Sequence, residues 1–132
     1  MKLFAKKSFT PVVLILGAGE RAGKLYKEIA ARKSRVQCSI RGFVLLEDRS
    51  SAIPEDLILT PKDTLEKLAV ALEVSEIVII QDRADQKCPI QELLDCKMAG
   101  IQLTDLDSFL QRVRVDSEIP EADFEPLLVN FN

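Results

Sequence analysis

Gly17, Gly19 and Ala22 stand at the spacing Gly-x-Gly-x-x-Ala, directly after the apolar run Val12-Val-Leu-Ile-Leu16. That spacing suits a phosphate. Glycine at 17 permits a tight turn at a strand end, and glycine at 19 lets the backbone approach a pyrophosphate. Ala22 is small where a helix must pack close to its strand. The free N–H groups of the helix start, with its positive dipole end, then face the ligand. Ala18 completes the turn, and Arg21 has the charge to pair with a phosphate. Glu20 works against this, because a carboxylate beside a helix N-terminus competes with a phosphate unless it points to solvent. A βα turn that needs glycine only for its own conformation has the same spelling.

Other candidates fall where a doubly wound sheet would place a ligand, at the carboxyl ends of strands where the winding reverses. Gln81, Asp82 and Arg83 follow the run Glu76-Ile-Val-Ile-Ile80 and should face the glycine turn. Glu47, with Asp48, occupies the place of the acid that holds ribose hydroxyls in dinucleotide enzymes. Its distance from Gly19 is nearer about 30 residues than the usual ~20, and two solvated loop acids explain the pair as well. Thr104, Asp105 and Asp107 read as helix-capping residues. Cys88 and Cys96 read as packing residues, since no histidine exists to activate them.

The elements that must position these groups follow from apolar periodicity. Val12–Leu16 is a continuous run, as in a strand buried on both faces. A helix runs from Gly19 to about Lys33, with Ala22, Leu25, Tyr26, Ile29 and Ala30 on one face. Ile40–Leu46 and Leu57–Leu59 are further strands, and the crossover between them is too short for a full helix. Thr60-Pro61 looks like a helix cap and first position, ahead of an apolar face of Leu65, Leu68, Ala69 and Leu72. Glu76–Ile80 is the fourth strand. Pro89 opens another helix, with Ile90, Leu93, Leu94 and Met98 turned inward and Gly100 closing it. Ile101–Leu103 is a fifth strand, and Asp105–Val113 a short helix. Strands separated by helical segments predict parallel pairing with right-handed crossovers. The fold class is therefore α/β: a three-layer Rossmann-like domain with a mainly parallel five-stranded sheet in the order 3-2-1-4-5.

Bulk properties narrow the function. The chain has 132 residues, enough for one domain, and is 47% hydrophobic and 30% charged. A net charge of -3 gives no electrostatic case for nucleic acid. The absence of histidine excludes Ser-His-Asp chemistry and histidine metal sites. Three cysteines, Cys38, Cys88 and Cys96, have neither metal-like nor disulfide-like spacing and read as reduced and cytoplasmic. No apolar run approaches the ~20 residues of a membrane span. Residues 1–117 read as the nucleotide-binding domain and 118–132 as a linker, Glu118 to Pro126, with an apolar tail, Leu127 to Phe131.

Several segments together carry a family likeness: Val13-Leu-Ile-Leu-Gly-Ala-Gly-Glu-Arg-Ala22, Ile40-Arg-Gly-Phe-Val44, Val74-Ser-Glu-Ile-Val-Ile-Ile80, Leu93-Leu-Asp-Cys-Lys-Met-Ala-Gly-Ile101, Leu103-Thr-Asp-Leu-Asp-Ser-Phe109 and Leu127-Leu-Val-Asn-Phe131. In that order, over residues 11–131, the chain resembles the amino-terminal Rossmann-like (CoA-binding-like) domain of bacterial polyprenyl-phosphate glycosyl-1-phosphate transferases, the exopolysaccharide sugar transferases. The resemblance implies a parent in the bacterial inner membrane, with transmembrane helices before this cytoplasmic domain and a catalytic domain after it. That catalytic part moves a sugar phosphate from a UDP-sugar to undecaprenyl phosphate with Mg²⁺ and an acidic pair. It has no counterpart here, so no catalytic residue is assigned. The implied ligand is a nucleotide: a UDP-sugar, NAD(P) or CoA. Basic Lys2, Lys6 and Lys7 fit a cytoplasmic segment after a membrane helix.

Two other functions compete. One is an interaction module that kept the fold, lost the ligand and forms a homo-oligomer through apolar surface. The other is a small NAD(P)-dependent oxidoreductase. The latter lacks a substrate domain and a Tyr-x-x-x-Lys pair, since Tyr26 is the only tyrosine.

Overall fold

The computed structural model describes residues 11–31, 38–46 and 51–117. Its strands are β1 (Val12–Leu16), β2 (Ser39–Val44), β3 (Ile58–Leu59), β4 (Glu76–Ile79) and β5 (Gln102–Asp105). Its helices are α1 (Glu20–Ala31), α2 (Leu65–Ala71), α3 (Ile90–Met98) and α4 (Leu106–Ser117). The sheet order is β3-β2-β1-β4-β5 and every pairing is parallel, as the sequence predicts. Among the described residues the passage from β2 to β3 carries only a single 3₁₀ turn, Glu55–Leu57.

β1 is apolar throughout because both its faces are covered. Val13 and Ile15 pack with Ala22 and Leu25 of α1 and Phe109 of α4. Leu14 and Leu16 pack with Leu65 and Ala69 of α2 and Leu93 and Cys96 of α3. Truncating the fully buried Leu14 to alanine would cost about 2–5 kcal/mol by lost transfer energy and residual cavity. Tyr26 meets Phe43 edge to face, with ring centroids 6.1 Å apart, which ties α1 to β2.

Three local expectations change. The α2 cap is Thr64, whose hydroxyl accepts from the Lys67 N–H at 3.1 Å, and not Thr60. The helix starts at Leu65 because a tertiary partner, Glu92, also takes its first N–H. In α3 only Leu93 and Cys96 turn inward. Ile90, Leu94 and Met98 are 63%, 48% and 87% exposed, so they form an outer stripe. The helical period gives α3 two apolar stripes, and only one can face the sheet. Thr104 lies within β5 and does not follow it. No helix among the described residues is long and apolar enough to cross a membrane.

The amino end of β4 holds a group that the sequence reading passes over. Glu76 is 2% exposed, and its carboxylate accepts from Arg112 Nη2 at 2.6 Å. Arg112 also lies over the Phe109 ring, 5.8 Å from its centroid. Burial pushes the nearby Cys38 thiol up to about 11; the Glu76 charge adds to this and Arg112 opposes it. Burial also raises Cys88 and Cys96. All three are protonated at neutral pH, as suits packing residues.

Candidate functional site

The site is built where β1 and β4 end. The Gly17 N–H donates to the Val44 carbonyl at 2.7 Å, and the Ile80 N–H donates to the Leu16 carbonyl at 2.9 Å. Gly17 has φ +133°, and a Cβ there would stand 2.2 Å from the Ile80 carbonyl oxygen. Only glycine satisfies both conditions. The chain then rises over the sheet into α1. Ala22 is fully buried beneath the turn. The Ala18 carbonyl accepts from the Ala52 N–H at 3.0 Å, which pins the turn to the segment leading to β3.

From the other side comes the loop after β4. The Asp82 carboxylate lies against Gly19: a Cβ on Gly19 would stand 1.8 Å from Asp82 Oδ2. Asp82 Oδ1 accepts from the Arg21 backbone N–H at 3.0 Å. The N-terminus of α1 thus already carries an anion from its own chain. The Arg21 guanidinium donates to the Gln81 carbonyl at 2.9 Å, reaching across to the same loop. Gln86 organises that loop. Its side-chain oxygen accepts from the Asp82 N–H at 2.8 Å, and its carbonyl accepts from Gln81 Nε2. Arg83 Nε pairs with Asp85 at 3.2 Å.

Between turn and loop is a cavity of about 250 Å³ lined by Gly17, Ala18, Gly19, Glu20, Asp82 and Arg83, with Leu45, Leu46, Ile80 and Gln86. Six of the sequence candidates therefore meet at one opening. Arg21 and Ala22 contribute to the frame and do not line it. Glu47 lies outside the described residues, as do Asp48 and the segment 118–132. Glu20 is exposed at the cavity rim. The acid that occupies the helix end is Asp82, which the sequence places on the ligand side without showing its contact with Gly19.

No protein-family model matches the chain, and no curated protein or solved structure matches it.

A second cavity, about 340 Å³, opens on the opposite face of the sheet and shares Leu45 and Leu46 with the first. Pro61, Leu65, Lys87, Cys88 and Glu92 help to line it. Here Glu92 Oε1 accepts from the Leu65 N–H at 2.7 Å and so closes the start of α2. Asp105 caps α4 in the same manner, accepting from the Ser108 N–H at 3.0 Å, which agrees with its reading as a capping residue. The first cavity is thus a crevice at the carboxyl ends of β1 and β4, polar at the glycine turn, and it shares its Leu45–Leu46 wall with the second, more apolar one.

Proposed function

We propose that this chain is the nucleotide-binding, regulatory domain of a membrane sugar transferase of the polyprenyl-phosphate glycosyl-1-phosphate transferase kind, acting in exopolysaccharide biosynthesis. The observation that carries the ligand half is the crevice at the reversal point of a 3-2-1-4-5 sheet, with the glycine turn on one wall and the Gln81–Gln86 loop on the other. The sugar-transferase half rests on the resemblance of the segments from Val13 to Phe131. The domain contributes binding and no catalytic group; its partners are the transmembrane and catalytic parts of the same parent. Calorimetry of the chain with a UDP-sugar, NAD(P) and CoA tests the ligand. Binding of one of them, lost on Gly19→Val, is expected; no heat with any would sink the ligand half.

A second reading, an interaction module, is favoured by one observation: the exposed stripe Ile90, Leu94 and Met98 on α3. It expects a homo-oligomer that Leu94→Lys dissociates. A monomer in light scattering at every concentration counts against it.

A further inference from the structure

We infer that Asp82 sets the specificity of the crevice: it is a tethered anion that a phosphate must displace from the start of α1, so that free phosphate is refused and a phosphate enters only as part of a ligand held elsewhere in the crevice. This rests on the reading that the crevice binds a nucleotide.

The start of α1 is already occupied. The Arg21 N–H already has Asp82 Oδ1 at 3.0 Å, and Oδ2 fills the space that a side chain at residue 19 would claim. A phosphate approaching Gly19 meets a like charge where it needs a donor. Glu20 lines the same cavity and adds a second carboxylate, while the Arg83 guanidinium in that lining is paired with Asp85. Tethering strengthens the competitor. A carboxylate on a short loop acts at an effective concentration in the millimolar range or above, so a ligand with only one foothold loses to it.

The seat is nonetheless exchangeable. Asp82 is exposed, and its backbone is held independently of its carboxylate, because its N–H donates to Gln86. The side chain can therefore leave while the loop stays. The second foothold is the wall of Leu45 and Leu46, which passes from the first cavity into the second. A nucleoside diphosphate has the required form: a diphosphate to displace the carboxylate, and a base and ribose to lie along that wall.

The test uses the full chain and four proteins: wild type, Asp82→Ala, Asp82→Asn and Asp95→Ala. Inorganic pyrophosphate, UDP and ADP are titrated by calorimetry, with the Arg21 amide followed by NMR. Wild type should bind a nucleotide and ignore pyrophosphate. Asp82→Ala should gain pyrophosphate binding and hold the nucleotide at least ~10-fold more tightly, about one like-charge contact. Asp82→Asn removes the charge and keeps an acceptor; it should gain less, and it carries the test if the alanine variant does not fold. Asp95→Ala removes an exposed charge from α3, outside the lining of both cavities, and should change neither affinity. If wild type and both Asp82 variants bind nucleotide alike, the Asp82 inference is overturned and the nucleotide reading stands. Equal gains in Asp95→Ala and Asp82→Ala overturn it too, as a general charge effect. If neither nucleotide nor pyrophosphate binds any of the four, the nucleotide reading fails and the inference with it.

Discussion

Two helices of this domain begin against a carboxylate brought from afar, and they use it differently. At α2 the acid is Glu92, carried on the rigid frame of α3, and the Thr64 hydroxyl caps the same helix end. At α1 the acid is Asp82, carried on a loop and exposed, with a glycine beneath it where a side chain would have closed the space. Both satisfy a backbone donor that would otherwise lack a partner. The α2 arrangement locks two helices together. The α1 arrangement fills a seat that can also be vacated. The same chemistry is a structural joint when its carrier is a helix and an exchangeable stopper when its carrier is a loop.

The largest way to break the contrast is Gly17→Ala. It adds a Cβ against the Ile80 carbonyl at a positive φ, so the end of β1 must move and take the Asp82 seat with it. A loss of at least about 3 kcal/mol is expected in urea unfolding; a loss below 1 kcal/mol would show that the turn adapts. Next come the two acids. Glu92→Ala should cost about 2 kcal/mol, as a charge-assisted hydrogen bond between elements, and Asp82→Ala about 1 kcal/mol, as a helix cap. Gly19→Ala should cost as little as Asp82→Ala, because the clash is with the movable end of a side chain, and the double variant should be no worse than either single one. Additive losses would mean that Gly19 serves something besides Asp82.

The smallest effect concerns a third capped helix. The hydroxyl and N–H of Ser108 hold the Asp105 carboxyl below the usual carboxylate value. A lowered folded pKa gives a contribution present above the unfolded value, near ~4, and lost as pH falls through the folded one. The acid-side fall in Tm should therefore be shallower in Asp105→Asn. An unchanged slope would remove Asp105 from the account.

How far all this was legible depends on range. The strand order follows from local signals: apolar runs, their lengths and the punctuation at Gly17, Pro61 and Gly100. The meeting of Gly17–Glu20 with Asp82 and Arg83 followed from topology alone. The Asp82 contact with Gly19 did not, because a sequence shows that a loop faces a turn but not which side chain lies down on it. The α2 cap shifted from Thr60 to Thr64 for a similar reason, since Glu92 lies outside any local window. In α3 the choice between two apolar stripes is made by the sheet. Glu76 opens its strand with nothing local to show that it is buried; only the return of α4 with Arg112 explains its burial.

The central place of β1 also has a consequence for synthesis. Its neighbours are β2 and β4, and Val13 pairs with Glu76. About sixty more residues must be made before the second neighbour exists, several seconds at ~5–20 residues per second. For that interval the all-apolar β1 has an open edge on the nascent chain, a row of unpaired backbone groups that can template pairing with the wrong strand.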